Sequence, residues 1–172
     1  FIFVDTKLIR TAATDATDVF WNYPSGKDVV RVEVRAQQFE WHLRYAGPDG
    51  TFNTADDVET NGDLHLPVGR PVVFQIRSKD VIHSFFLPNF RLKQDATPGR
   101  TNRMWVQAKE TGAFELVCAE LCGLGHYRMR GQVTVEEAPA FDTWITRQSR
   151  EAAEEYDAAD KDANWGWDWE AP

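Results

Sequence analysis

Short segments in which apolar and polar residues alternate recur through the first 136 residues of the chain. The clearest is 29–36, where Val30, Val32 and Val34 are separated by charged residues. Alternation with a period of two is typical of a strand with one buried face. Similar segments are found at 39–45, 63–67, 71–77, 81–87, 102–107, 113–118 and 131–135. So many short strands, punctuated by Gly and Pro, predict an all-β fold, an antiparallel Greek-key β-sandwich.

The pattern changes after Pro139, where the apolar spacing becomes helical. Four residues share one face of the predicted helix: Phe141, Trp144, Ile145 and Gln148. Glu151–Asp162 is rich in Ala and Glu and contains no helix breaker, so we expect a helix that packs its first turns on the sandwich and then runs into solvent. Three tryptophans close the chain, and they either dock on a surface or belong to a disordered terminus: Trp165, Trp167 and Trp169.

These patterns divide the chain into an N-terminal segment (1–27), a β-domain (28–136) and a helical tail (137–172). No apolar run reaches the roughly 18–20 residues that span a bilayer. The chain starts with four apolar residues, Phe1–Val4, and has no initiator Met. Such a start fits either the stub of a longer apolar segment or an ordinary first strand.

The loop at 47–62 is rich in Gly, Asn, Thr and Asp. Asp49, Asp56 and Asp57 give it a faint likeness to a calcium-binding loop. The spacing of an EF-hand and its terminal Glu are absent. We therefore expect a solvated connection rather than a calcium site.

Charge separates the tail from the rest of the chain. The 172 residues carry a formal net charge of -8, from 19 basic and 27 acidic residues. Residues 1–135 hold 16 of each kind, whereas the tail from Glu136 onward holds 11 acidic and three basic residues. The chain before the tail is thus neutral, and it lacks the basic surface with which proteins bind nucleic acids.

One short segment concentrates the residues that can bind a metal. Both cysteines, one of the four His and one of the two Met lie within twelve residues, as Cys118, Cys122, His126 and Met129. Their spacings of four, four and three residues bring successive donors to a shared side of a compact loop. Thiolate, imidazole and thioether form a soft donor set, which suits copper better than calcium, magnesium or manganese.

Zinc and a disulfide between the two cysteines are alternative uses of this segment. Both leave Met129 without a role, and a disulfide also leaves His126 idle. A mononuclear copper site for electron transfer needs one Cys, two His and a weak axial ligand. His83, on a separate predicted strand, is placed to be the second His, but one Cys is then surplus. Two copper ions bridged by both sulfurs would use the whole set.

These motifs resemble the copper-A domain of cytochrome c oxidase subunit II. Residues 118–129, with the pattern Cys-Ala-Glu-Leu-Cys-Gly-x-Gly-His-x-x-Met, match the second signature of that family, and 80–84, Asp-Val-Ile-His-Ser, match the first. Residues 92–100, Leu-Lys-Gln-Asp-Ala-Thr-Pro-Gly-Arg, match a segment with which the family contacts subunit I. The resemblance covers residues 28–136.

The resemblance implies a cupredoxin-like β-sandwich that binds two copper ions. The implied ligands are, in chain order, His83, Cys118, the backbone carbonyl of Glu120, Cys122, His126 and the weak ligand Met129, with both sulfurs bridging. The carboxylate of Glu120 is implied to face a magnesium ion shared with subunit I. The implied contacts with subunit I are Lys93, Asp95 and Arg100.

The implied function is electron transfer. The domain would accept electrons from a cytochrome c or a similar small donor and pass them to haem in subunit I, where oxygen is reduced to water. The complete oxidase is the proton-translocating enzyme, and the domain only relays electrons. The family's full-length subunit has two N-terminal membrane helices, so Phe1–Val4 is interpreted as the stump of the second. The chain is then a soluble fragment from the periplasmic, outer face of the bacterial cytoplasmic membrane.

The aromatic cluster that receives electrons in this family is commonly Trp-x-Trp followed by Tyr. Here Trp41 and Tyr45 match, but Phe39 replaces the first Trp; packing in the core is the alternative role. A neutral domain also lacks the acidic charge that attracts a basic cytochrome. Both features resemble oxidases with a cytochrome c domain fused after the copper domain, although the chain has no Cys-x-x-Cys-His haem motif. We expect a donor contact dominated by apolar groups.

Three other classes of protein compete with this interpretation. Nitrous oxide reductases also contain a copper-A domain, but they typically have Trp-Phe between the cysteines, where residues 119–121 here are Ala-Glu-Leu. A copper chaperone or storage module would need a more exposed site and no aromatic cluster. Quinol oxidase subunits typically lack the copper ligands altogether.

Overall fold

The computed structural model describes residues 22–157, 159 and 160. Phe1–Val4 and the three C-terminal tryptophans, Trp165, Trp167 and Trp169, lie outside the described residues, so the interpretations placed on them stay predictions. Among the described residues there are ten strands and one α-helix. In chain order they are β1 (Val30–Gln37), β2 (Glu40–Tyr45), β3 (Val58–Asn61), β4 (Asp63–Pro67), β5 (Pro71–Ser78), β6 (His83–Leu87), β7 (Leu92–Ala96), β8 (Asn102–Gln107), β9 (Gly112–Cys118), β10 (Arg130–Glu136) and α1 (Ala138–Glu155).

The strands form two five-stranded sheets. The first has the order β3-β2-β1-β5-β8 and the second the order β4-β10-β9-β6-β7. Pairing is antiparallel except between β1 and β5 and between β4 and β10. Strands that follow one another along the chain repeatedly change sheet. The β-sandwich predicted from the alternating pattern is confirmed, but the prediction of antiparallel pairing is wrong for the two parallel pairs, because strands that arrive from the opposite sheet can join a sheet in either direction.

The core lies between the two sheets and is built from the apolar faces of their strands. On β1, for example, Val32, Val34 and Ala36 are fully buried. Trp41 of β2 and Phe85 of β6 meet across the sandwich, with ring centroids 5.4 Å apart and planes at 87°. An edge-to-face contact of this kind adds to the stabilisation that burial of the rings provides. Trp41 therefore packs in the core and links the first sheet to the start of β6.

Two strands of the structure are missing from the sequence prediction. The end of the connection at 47–62 forms β3, so the prediction of a solvated connection is wrong for those residues, and β7 lies in the segment 92–100. Both strands are at sheet edges. Both strands are short and have few apolar residues. Only Val58 is buried in β3, and the polar Gln94 stands between the buried Leu92 and Ala96 in β7, so neither sequence shows a clear apolar alternation. The loop before β3 is held by its own carboxylates: Asp57 accepts a hydrogen bond from the backbone of Asn53 at 2.7 Å.

Helix α1 packs its first turns on the sandwich, as predicted. Phe141 is 2% exposed, and the ring of Trp144 stacks on that of His65 with centroids 4.1 Å apart and planes at 9°. The helix ends at Glu155, so the predicted continuation to Asp162 is wrong at residues 156 and 157. The acidic residues that follow are unfavourable at the negative end of the helix dipole. No helix within the described residues is long and apolar enough to cross a membrane.

Candidate metal centre

The segment 118–129 is the connection between two neighbouring strands. Cys118 ends β9, and Met129 immediately precedes β10. The backbone N–H of Cys118 donates to the carbonyl of Met129 at 3.0 Å, which closes the connection at its base. His83 begins β6, which pairs with β9 so that Phe85 faces Cys118. The sheet therefore brings His83 to the cysteines across 35 residues of sequence.

The donor atoms of the predicted ligands converge at this end of the second sheet. Nδ1 of His83 lies 3.2 Å from Sδ of Met129 and 4.0 Å from Sγ of Cys118. Sγ of Cys118 lies 3.2 Å from the carbonyl oxygen of Glu120 and 3.9 Å from Sγ of Cys122. His83 and both cysteines form the one group of His, Cys, Asp and Glu found close enough to share an ion among the described residues.

His126 joins the cluster from the other side of the sulfur pair. Its Nδ1 lies 3.6 Å from Sγ of Cys122, and the same sulfur lies 3.7 Å from Sδ of Met129. Each imidazole thus approaches a different sulfur, and both imidazoles do so through Nδ1. The structure brings all six predicted ligand positions together.

These separations fit metal coordination. Two donors bound at 2.0–2.3 Å to one ion, with tetrahedral angles, lie about 3.3–3.8 Å apart, and the neighbouring donors here are 3.2–4.0 Å apart. The cysteines are free, and their sulfurs, 3.9 Å apart, are far beyond the bond length of about 2.05 Å in a disulfide. The soft donors suit copper.

The centre is closed to solvent. His83 is 0%, Met129 1%, Cys122 4% and Cys118 8% exposed, and only His126 is half-buried. This is the opposite of the exposed, exchangeable site that a copper chaperone needs.

Electrostatics makes the two thiols unequal. Burial raises the pKa of Cys118, but hydrogen bonds with His83 and with the Ser84 and Glu120 backbone outweigh burial and lower it. The pKa of Cys122 is raised by burial and by the charge of Cys118 next to it. One thiolate therefore forms readily, and the second needs a cation to stabilise it. A bound metal supplies that charge.

Asp80 fixes the orientation of the His83 ring. Its Oδ1 lies 2.8 Å from Nε2 of His83, which leaves Nδ1 facing the sulfurs. Burial lowers the pKa of His83, but contacts with Cys118 and Asp80 outweigh it and raise it. Sequence reasoning placed Asp80 in a motif without giving it a role. The signal was available, because a metal-ligating His commonly pairs its other ring nitrogen with a carboxylate.

Of the three aromatic residues predicted to receive electrons, two lie at the metal centre. Trp41 is buried with its ring 6.1 Å from that of His83, and half-buried Phe39 lies on the segment 118–129. Tyr45 lies about 13 Å further along β2, where it packs 5.2 Å from the ring of Trp144 on α1. Its hydroxyl accepts a hydrogen bond from the backbone of His65 at 2.7 Å.

The residues predicted to contact subunit I lie on and just after the edge strand β7. Lys93 and Asp95 are half-exposed and 3.7 Å apart, and Arg100 is exposed in the turn that follows. The strand pairs with β6, so that Ala96 faces His83. This edge is therefore next to the metal centre.

Exposed apolar side chains surround the centre, a feature that sequence reasoning did not identify. Leu124 is 97%, Tyr127 85% and Leu121 78% exposed. We call these three, with Val81 and Ile82, the apolar rim. Exposed apolar side chains grouped around one site mark a contact surface.

The β-sandwich with two Cys, two His and one Met at one end defines the class of cupredoxin-like domains. A family model described as "Cytochrome C oxidase subunit II, periplasmic domain" matches residues 17–136. The chain belongs to this family.

Similar proteins bear out this assignment. An alternative cytochrome c oxidase subunit 2 from Bradyrhizobium diazoefficiens is 38% identical, over 70% of this chain and 52% of the relative. A cytochrome c oxidase subunit 2 from Thermostichus vulcanus is 42% identical, over 66% of this chain and 32% of the relative. The chain thus spans about half, or less, of the length of these relatives. The alternative of a nitrous oxide reductase is not favoured.

Solved structures agree on the fold. The crystal structure of the periplasmic domain of subunit II of cytochrome oxidase (CoxB) of Bradyrhizobium japonicum has a TM-score of 0.63 at 28% identity, and the match covers 72% of this chain and 96% of that one. A second structure shows a mixed disulfide intermediate between the thioredoxin-like protein TlpA and subunit II. It has a TM-score of 0.62 at 29% identity, and the match covers 77% of this chain and 98% of that one. The cupredoxin-like sandwich predicted from the sequence is confirmed.

Proposed function

We propose that this domain binds two copper ions and relays electrons from a small electron carrier to the next redox group of a cytochrome c oxidase. The observation that carries the proposal is the arrangement around the sulfur pair. Cys118 and Cys122 lie 3.9 Å apart, with an imidazole beside each of them. Each sulfur can then bridge two ions while each His binds one.

The contribution of the protein to electron transfer is a fixed set of donors. When bound, a pair of bridged copper ions supplies one-electron redox chemistry, in which no substrate bond changes. His83 and Cys118 belong to paired strands of one sheet, and Asp80 holds the His83 ring. Donors that are held in place move little when the charge of the centre changes, which keeps electron transfer fast.

Electron paramagnetic resonance of the copper-loaded domain tests this proposal. We expect a hyperfine pattern from one unpaired electron shared by two copper nuclei, and two copper ions per chain by metal analysis. A pattern from a single nucleus, or preferential binding of one zinc ion, would contradict it. Ready loss of copper to a weak chelator would instead favour a chaperone or storage module.

We propose the apolar rim as the docking surface for the electron donor. Leu124 and Tyr127, two and one residues from His126 in the sequence, are almost fully exposed, and the chain before the tail carries no net charge. A contact of this kind depends little on salt, because no strong charge pairing steers it. The donor is a cytochrome c or a haem domain fused in the longer protein. Transfer rates that fall steeply between low and high salt would rule out an apolar contact.

We also propose the edge strand β7 and the Glu120 carboxylate as the contact with subunit I. Lys93 and Asp95 project from this edge, Arg100 follows it, and the exposed Glu120 can share a magnesium ion with the larger subunit. The complete assembly would sit on the periplasmic side of the bacterial membrane, with this domain anchored by helices of the full-length subunit. Charge reversal at Lys93 should reduce co-purification of subunit I, with the same change at remote Arg147 as control.

A thioredoxin-like reductase is a further proposed partner. A structure of a relative holds a mixed disulfide with a thioredoxin-like protein. The two thiols of this chain, 3.9 Å apart, are close enough to form a disulfide after a small movement when dioxygen takes up their two electrons and two protons. A reductase thiolate would attack one sulfur of the Cys118–Cys122 disulfide, and its second thiol would release the reduced pair and become oxidised. Air-oxidised apoprotein should then bind copper only after reduction. Copper uptake without a reductant would contradict this partner.

A further inference from the structure

The turn between β1 and β2, residues 38 and 39, contacts both chain segments that carry the proposed ligands. The side-chain amide of Gln38 donates to the carbonyl of Cys122 at 2.5 Å. The backbone N–H of Gln38 donates to Oδ2 of Asp80 at 2.7 Å, and the other oxygen of that carboxylate lies 2.8 Å from His83. A continuous hydrogen-bonded path thus connects Cys122 to His83 outside the ligand cluster.

Phe39 fixes the same connection by close packing. A Cβ atom at Gly125 would lie 2.4 Å from Cδ2 of Phe39, and one at Gly123 would lie 3.1 Å from Cε1. The backbone of Gly125, at φ −92° and ψ 8°, is open to any residue. The ring of Phe39 is therefore what excludes a side chain at 125. Arg128 covers the ring, with its guanidinium carbon 5.8 Å from the centroid.

We propose that Gln38 and Phe39 are positioning residues that hold the Cys122–Met129 segment against the His83 strand and so control how slowly the centre loses its metal. Neither residue is a ligand. Their effect is exerted through Cys122, His126 and the Asp80–His83 pair. The proposal rests on the proposed copper centre and names the part of the chain that keeps it closed.

The role follows from how a closed site releases a metal. Five of the six proposed ligands lie on the segment 118–129, and the two ends of the segment are fixed by β9 and β10. The middle of the segment, around Gly123 and Gly125, belongs to no strand and is held by the turn 38–39. Loss of that contact lets the middle lift away, which exposes Cys122 and His126 to solvent and competing ligands.

The first test is Gln38→Leu, measured as the rate at which the copper-loaded domain loses copper to a strong chelator. A single hydrogen bond of ordinary strength changes such a rate by roughly 3- to 10-fold, so we expect release to be faster by that factor. The matched control is Gln107→Leu, which removes the same type of bond, from the Gln107 amide to the carbonyl of Gly69, at a remote loop. An unchanged release rate in Gln38→Leu, or an equal acceleration in the control, overturns the proposal.

The second test is a double-mutant cycle between Gly125→Ala and Phe39→Ala. Gly125→Ala alone should accelerate copper release about tenfold or more, because the new methyl group displaces the ring. In the Phe39→Ala background, Gly125→Ala should have little further effect, because the ring is gone. Effects that multiply in the double variant would show that the two positions act independently, and would overturn the proposal.

Two further readouts separate a positioning role from a structural one. Gln38→Leu and Gln107→Leu should lower the melting temperature of the metal-free protein by similar small amounts, because each removes one hydrogen bond, whereas only Gln38→Leu should accelerate copper release. Copper release that accelerates in both variants in proportion to the lost stability would contradict a role specific to the metal centre. The hyperfine pattern of freshly loaded protein should keep two copper nuclei in each variant. If wild type itself shows a single nucleus, the proposed function fails, whereas the release rates still decide the role of the turn.

Discussion

Nε2 of His83 lies 2.8 Å from Oδ1 of Asp80, on the side of the ring opposite to the sulfur atoms around Nδ1. The carboxylate thus sets the tautomer and the rotation of a buried imidazole. It also places a negative charge near the centre without being a ligand. This pair links the geometry of the donor set to its electrostatics.

Replacement of Asp80 by Ala should weaken copper binding by about 10- to 100-fold, because an unsupported imidazole is a poorer and less well oriented ligand. The reduction potential should rise, since removal of a nearby negative charge destabilises the oxidised state. Competition with a chelator and redox titration measure the two effects. The control is Asp142→Ala, which removes a carboxylate of α1 that pairs with Arg70. Unchanged affinity and potential in Asp80→Ala would contradict the assigned role.

Substitutions at the two cysteines and at Met129 should change the copper centre in different ways. Cys118→Ser and Cys122→Ser should each abolish the spectrum of two coupled copper ions, because the bridge is lost. Met129→Leu should preserve that spectrum and raise the potential, since a weak ligand tunes the centre without holding it together. Paramagnetic resonance and redox titration distinguish these outcomes. If Met129→Leu changes neither spectrum nor potential, Met129 is not a ligand.

The stability of the metal-free protein should fall as pH rises from about 4.5 to about 6, below the range in which the Cys118 thiol, whose pKa is lowered to about 6, ionises in the folded protein and opposes the trend. Glu33 is fully buried and its Oε2 accepts a hydrogen bond from Nε of Arg44 at 2.7 Å, but burial outweighs Arg44 and raises its pKa from 4.5 to about 8. The folded protein therefore keeps a proton that the unfolded chain releases in this range, at a cost of up to about 1.4 kcal/mol per pH unit. Asp57, whose pKa burial raises from 3.8 to about 6, adds to the trend at the acidic end.

Urea unfolding at pH 5, 6.5 and 8 measures this dependence. Glu33→Gln should flatten the profile, because the amide cannot titrate. Glu115→Gln, at an exposed position of β9, should leave the profile as in wild type. A difference in stability between wild type and Glu33→Gln that does not change with pH would show that Glu33 is ionised in the folded protein.

Removal of the main contact of α1 should destabilise the domain without changing the metal centre. Phe141 is buried against Tyr45 and Trp144, so Phe141→Ala should reduce the free energy of unfolding by about 3–5 kcal/mol. Arg147→Ala, on the exposed face of the helix, should cost little. Thermal unfolding measures both. A changed copper spectrum in Phe141→Ala would mean that the helix and the centre are coupled.

The sequence predicted the parts of this molecule that have a periodic or a local signal. Strands with one buried face, such as β1, alternate strictly, and the donors between Cys118 and Met129 stand close together. Strand β7 has no such signal, because the polar Gln94 occupies the half-buried position between Leu92 and Ala96. The position of Tyr45 under α1 depends on a contact with residues a hundred positions later, and no local pattern reports it.

The contacts of the turn 38–39 show the same limit. Gln38 and Cys122 are 84 residues apart, and a glutamine in a turn has no composition or spacing that indicates its partner. The two glycines beside Cys122 were visible as residues of a motif. Because these glycines have no side chain, they leave room for the ring of Phe39, and only the packing shows this.

The clustering of the proposed donors also affects how folding and metal uptake depend on each other. Four donor side chains lie within twelve consecutive residues, so an unfolded chain retains much of the ligand set, and only His83 must be delivered by the sheet. A metal that binds the unfolded chain as well as the folded one stabilises the fold by less than its affinity for the native site. A newly made chain exposed to soft metal ions would then bind the wrong metal before its strands have paired. Faithful loading therefore requires that the sandwich forms first and that copper is offered only afterwards.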